Sequence, residues 1–133
     1  MAAVIQRKNK ILLVQRAHEP FKLCWDFPGG FLEAGESPQE GLQREVKEEL
    51  QIEIELSALF GVYDDHYGPE GEPVLIVYYL CRQRAGLVNP QEEIADARWF
   101  ELNALPEALA FHHTTAVLAD LRKRLMKFDE QVR

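Results

Sequence analysis

Apolar residues first gather in two short runs, Ala2 to Gln6 (AAVIQ) and Ile11 to Gln15 (ILLVQ), parted by the polar Arg7-Lys8-Asn9-Lys10. Runs of this kind around a polar turn predict a β-hairpin. After the loop marked by Pro20, Trp25-Asp26-Phe27 reads as a short aromatic strand, and Pro28-Gly29-Gly30 ends it in a sharp turn. The period then changes. Leu42, Val46 and Leu50 fall on one stripe at ~100° per residue, so a helix is expected from Ser37 or Pro38 to about Leu50. Glu53 to Tyr63 alternates in part and predicts a long or bent strand with a bulge at Gly61. Asp64 to Pro73 is rich in Gly, Pro and acid and predicts a long loop. Val74 to Cys81 is the most apolar run and predicts a buried central strand. Glu92 to Asp96 reads as an acidic loop and Ala97 to Phe100 as a short strand. Val117, Leu118, Leu121, Leu125 and Phe128 then predict an amphipathic helix from about Ala108 or His113 to Lys127. Strands mixed with two helices give an α/β fold.

The first helix carries the candidate chemistry. Ser37 suits its N-cap, Pro38 its first position and Glu40 the acid of a capping box. Beside the apolar stripe, Glu45, Glu48 and Glu49 form a second stripe centred about 100° away. Arg44 stands four residues before Glu48 and can pair with it. A solvated acidic face is the plain reading of such glutamates. The alternative is a hard divalent cation such as Mg²⁺ or Mn²⁺, which takes clustered oxygen ligands.

Spacing favours the second. Five residues separate Gly30 from Glu36 and seven separate Glu36 from Arg44-Glu45-Val46, with Glu48-Glu49 and Ile52 closing the pattern. This resembles the Nudix box, the motif of hydrolases that act on nucleoside diphosphates linked to another moiety. One position departs: Gln51 stands where the family usually has Gly, so the helix must leave through a costlier left-handed residue or end differently.

The resemblance implies a Nudix-type α/β/α sandwich, a mixed central sheet between helices, over a single domain spanning 1–133. It implies Mg²⁺ or Mn²⁺ held by Glu45, Glu48, Glu49 and the backbone carbonyl of Gly30, and hydrolysis of a pyrophosphate bond. Glu45 and Glu48 are the leading box candidates for the base, with Arg44 orienting a box carboxylate and Glu36 supporting the loop. Glu92 and Glu93 lie where family members sometimes carry an extra ligand or base. Arg16 is expected to face the phosphates, and the Asp64-to-Tyr67 stretch, Tyr67 above all, to edge the substrate site. At least one of Trp25 and Phe27 reads as core packing; these two, Tyr63 and Tyr67 could also stack on a base, though aromatics at strand ends are more often packed, and His66, His112 and His113 read as surface or capping residues. The alternative is a catalytically silent Nudix-fold module that binds a nucleotide or an ADP-ribose-like ligand. Such modules usually lose box carboxylates, and this chain keeps them. The segment after the box does not match the NADH-pyrophosphatase group, and ADP-ribose-type or nucleoside-triphosphate-type substrates both stay open.

Composition narrows the partners. In 133 residues the net charge is −7 and 47% of side chains are apolar, enough for a real core. An acidic chain disfavours a nucleic acid polymer and suits a small nucleotide arriving with its metal. No apolar run approaches the ~18 residues of a membrane span, and no signal-peptide pattern is visible. A cytoplasmic protein without membrane partners is expected, with Cys24 and Cys81 reduced. A homodimer is compatible with the sequence.

Overall fold

A computed structural model of the chain describes residues 1–132, with side chains described as far as Arg124. Six strands and two helices follow in the order β1 (Ala2–Arg7), β2 (Lys10–Arg16), β3 (Trp25–Asp26), α1 (Pro38–Leu50), β4 (Glu53–Tyr67), β5 (Glu72–Ala85), β6 (Ile94–Glu101) and α2 (His112–Val132). β1 pairs antiparallel with β2 near their shared turn and parallel with β5. β4 and β5 form a long antiparallel hairpin. β2 pairs antiparallel with β6 and, beyond its contact with β1, with β3. The sheet is mixed and carries the two helices on opposite faces, an α/β sandwich. Among the described residues, no helix is long and apolar enough to cross a membrane.

Why the first two runs are continuously apolar is now plain. Ala2, Val4, Ile11 and Leu13 pack with Val117, Leu118 and Leu121 of α2, whereas Ala3, Ile5, Leu12 and Val14 pack with Leu42, Val46 and Leu50 of α1. Successive side chains point to opposite faces, and both faces are covered. Trp25 and Phe27 both join the α2 side as core, where at least one of them was expected. Leu125, Lys127 and Phe128 lie outside the described side chains.

Three expectations change. Asp64 to Tyr67 is strand, not loop: Tyr63, Asp65 and Tyr67 are partly buried while Asp64 and His66 are exposed. The turn shrinks to the residues between Tyr67 and Glu72, where Gly68 and Gly71 take positive φ. Val74 to Cys81 is only partly buried, and Leu75 is 71% exposed. The reason is register: β1 covers β5 only from Tyr78 to Cys81, and the end nearer the turn has β4 alone. β6 starts at Ile94, three residues before the expected strand. Cys24 and Cys81 are free thiols.

Candidate active site

β1 and β2 part after their turn, and the segment from Trp25 to Gly30 enters between their far ends: Asp26 pairs with Val14, and Ala3 N–H donates to the Pro28 carbonyl at 2.9 Å. This brings the Gly29-Gly30 turn against α1. A side chain at residue 30 would strike the Glu45 carboxyl, whose carbon lies 2.5 Å from where a Cβ would sit. Only glycine lets Glu45 lie flat on this backbone. The Gly30 carbonyl, expected to face a metal, accepts here from the Met1 nitrogen at 3.0 Å.

A cleft of about 1120 Å³ opens beside this turn. On its lining, Glu45, Glu49 and Glu93 gather within charge range of one another, Tyr67, Phe111 and His113 gather ring against ring, and Asp26, beside Arg16, lies within charge range of both groups. The Glu49 carboxylate accepts weakly from Gly29 N–H (3.4 Å). Burial first, then the neighbouring Glu45, Glu93 and Asp26 charges, push its carboxyl up to about 9 against the single opposing hydrogen bond from Gly29. Burial also raises Glu45, although Arg44 pulls the other way.

Arg44 gathers the box acids. Its Nε lies 2.6 Å from Glu36 Oε2, and its other nitrogens reach Glu36 Oε1 (3.0 Å), Glu45 (3.0 Å), Glu48 (3.2 Å) and the Phe31 carbonyl (3.1 Å). The Arg44 hydrogen bond, followed by that from Glu33 N–H, holds the Glu36 carboxyl below its ordinary value. Glu36 thus ties the box loop to the helix through a bidentate pair.

Glu48 departs from the expected convergence of three carboxylates. Its side chain is 60% exposed, does not line the cleft, and shares Arg44 with Glu45. Glu92 is exposed and also outside the cleft, while Glu93 faces it. Among the described residues, no group of three or more His, Cys, Asp or Glu closes into a ready-made metal site. The donor set nonetheless fits a hard cation. Glu45 and Glu49 are desolvated acids whose charged forms repel each other, and Mg²⁺ is usually bound by one or two carboxylates, with waters and substrate phosphates completing its shell.

A sequence model of the NUDIX domain matches residues 1–121. The chain belongs to the Nudix family. It is 40% identical over 113 residues to an ADP-ribose pyrophosphatase of Methanocaldococcus jannaschii, covering 83% of this chain and 64% of that protein. It is 32% identical to a putative ADP-ribose pyrophosphatase of Bacillus subtilis, over 86% of this chain and 55% of that one. The chain therefore spans less than two thirds of these curated relatives. Among solved structures, a MutT NUDIX hydrolase from Burkholderia pseudomallei superposes with a TM-score of 0.81 at 32% identity, covering 89% of this chain and 92% of the other.

Within this Nudix cleft stand residues the sequence did not single out. Asp26 is one. Its Oδ1 accepts from Phe27 N–H (2.8 Å) and Thr114 Oγ1 (3.0 Å), and Oδ2 lies 4.0 Å from Arg16. Burial raises its carboxyl above the ordinary range despite these partners. Arg16 donates to the Pro20 carbonyl at 2.7 Å and lies over the Phe111 ring at 5.3 Å. His113 is a second surprise. Expected at the surface or capping, it is 5% exposed, with Nδ1 2.7 Å from Asp65 Oδ2. His66 and His112 are exposed at the cleft rim. Tyr63 packs on Tyr78 and donates to Asp120 (2.7 Å), which removes it as a stacking surface.

Proposed function

We propose that this Nudix protein is a divalent-metal-dependent hydrolase that cleaves the pyrophosphate bond of a nucleoside diphosphate linked to another moiety, with ADP-ribose as the first substrate to test. The observation that carries the reading is the repelling, half-buried carboxylate end of a cleft whose other end is aromatic. One end suits metal-bound phosphates and the other a nucleoside. The relatives named for ADP-ribose support the choice of probe.

Glu45 and Glu49 would hold Mg²⁺ or Mn²⁺, which neutralises phosphate charge and lowers the pKa of bound water. Arg44 fixes Glu45 and balances its charge, leaving Glu49 without a protein cation of its own. Arg16, between the two ends, offers a guanidinium to the phosphates. Glu93 enters from the loop before β6 and takes the role of base, because it faces the cleft without being bound to Arg44, whereas Glu48 stands outside.

The test is product release from ADP-ribose and from a nucleoside triphosphate, with Mg²⁺, with Mn²⁺ and with EDTA. AMP and ribose 5-phosphate should appear from ADP-ribose with metal and vanish with EDTA. Tight binding of these nucleotides without turnover under any metal condition would replace this reading with that of a silent binding module.

A further inference from the structure

At the aromatic end of the cleft, three polar side chains form a chain that pyrophosphate chemistry does not use. Asp65 and Tyr67 share the inward face of β4, and His113 comes from the first turn of α2. Asp65 Oδ2 meets His113 Nδ1 at 2.7 Å and its backbone N–H at 3.4 Å, while Asp65 Oδ1 accepts from His66 N–H at 2.8 Å. On the far side of the ring, His113 Nε2 meets the Tyr67 hydroxyl at 3.3 Å.

With a neutral His113 ring, the proton positions along this chain follow from its two ends. Burial pushes the Asp65 carboxyl up, but the hydrogen bonds from the His113 side chain and from the His66 and His113 N–H groups outweigh it and leave Asp65 below its ordinary value. Asp65 therefore has no proton to give, and His113 Nδ1 must donate. In a neutral imidazole the other nitrogen is then an acceptor. Tyr67 has a single hydroxyl proton and donates it in a hydrogen bond to Nε2. Burial, with Asp26 and Asp65 adding, pushes the Tyr67 phenol up to about 12, so it keeps that proton. What Tyr67 shows the cleft is an oxygen lone pair. Phe111 packs 5.0 Å from Tyr67, and Phe21 packs 4.8 Å from Phe111. Phe111 is itself stacked on the His113 ring at 5.1 Å, and an aromatic cluster beside a hydrogen-bond acceptor suits a nucleobase better than a sugar.

We propose that Tyr67, oriented by the Asp65–His113 pair, determines specificity by accepting a hydrogen bond from an amino group on the nucleobase of the substrate. This rests on the hydrolase reading of the same cleft and adds the polarity of its base end. Asp65 and His113 are positioning residues that act through Tyr67.

The probes are ADP-ribose and its inosine counterpart, in which a carbonyl replaces the amine. Each is measured at pH 8, by metal-free equilibrium binding and by kcat and KM with Mg²⁺. The unaltered protein should favour ADP-ribose by roughly 3- to 10-fold, the scale of one hydrogen bond. The difference should lie in Kd and KM rather than kcat. Tyr67→Phe should bring the ratio close to one. Asp65→Asn turns an amide N–H toward Nδ1, reverses the tautomer and frees the Tyr67 proton for the ligand, so it should tip the preference toward the inosine compound. A ratio unmoved by both substitutions, or equal losses for both ligands, overturns the proposal. A binding preference that responds as stated without any turnover sinks the hydrolase reading alone. Turnover with an unresponsive ratio sinks the inference alone, and failure of both ligands to bind sinks both.

Discussion

Glu45, Glu48 and Glu49 share a helix face in sequence yet meet three environments. Helix geometry explains the order. Taking the centre of the Leu42–Val46–Leu50 stripe as zero, Glu49 lies about 60° from it, Glu45 about 100° and Glu48 about 160°. The closer a glutamate stands to the core stripe, the more it is buried, so Glu48 is left in solvent, held by the half-buried Arg44. That ranking was legible in the sequence; treating the three as one stripe hid it. His113 and Asp26 were not legible, because their roles depend on β4, β3 and α2 meeting across long stretches of chain. Graded effects follow. Glu49→Gln should cut kcat by ~10²-fold or more and weaken Mg²⁺ binding, whereas Glu48→Gln should cost under a tenth of that factor. Glu93→Gln should lower kcat by ~10²-fold while leaving the Mg²⁺ titration in place, the signature of a base rather than a ligand. Steady-state kinetics beside metal titrations separate the three, and equal losses for Glu48 and Glu49 would refute the angular ranking.

At the scale of elements, the ends of α1 were well read. Ser37 caps its N-terminus by accepting from Glu40 N–H at 3.2 Å, with Pro38 behind it. Its exit passes through Gln51 at φ 59°, ψ 30°, the left-handed one of the two exits the sequence left open. The Gln51 N–H still reaches the Lys47 carbonyl at 2.9 Å, and its side chain accepts from Asn89 at 3.1 Å. A left-handed non-glycine residue costs ~1–2 kcal/mol, offset in part by the greater chain entropy of glycine when unfolded. Gln51→Gly should therefore stabilise the protein by about 0.5–1 kcal/mol, raising Tm by about 2–4 °C in a calorimetric scan. A lower Tm would mean that the Asn89 contact outweighs the backbone strain. The β4–β5 hairpin was misread for an equally local reason. Gly68, Pro69, Gly71 and Pro73 signal a turn, and the acids before them extended that signal over Asp64-Asp65-His66-Tyr67, where the alternation continuing from Tyr63 was the better guide.

For the whole molecule, the raised carboxyls set the direction of pH dependence without metal. Glu49 titrates near 9 when folded and near 4.5 when unfolded. Between those values the folded state holds a proton that the unfolded state has lost, so stability falls as pH rises. The contribution is complete below about 4.5 and gone above about 9. Asp26 and Glu45, also raised, act in the same sense. Thermal melts in EDTA should therefore show Tm falling from pH 5 to pH 9, and Glu49→Gln should flatten that slope. A Tm that climbs across this window would contradict the raised carboxyls. Saturating Mg²⁺ should lift Tm most at the alkaline end, where the carboxylates are already free to bind it.

The alternation of β1 and β2 between two helical layers bears on how the protein comes apart. Val4 and Leu13 belong to one core, Ile5 and Leu12 to the other, and no residue of backbone separates the two allegiances. Peeling away either helix would expose half of each strand while the other half stayed packed. The strands cannot leave with one layer and remain with the other, so both layers should open together. Amide exchange should find these strands the last to give up their protons, at a rate set by global unfolding.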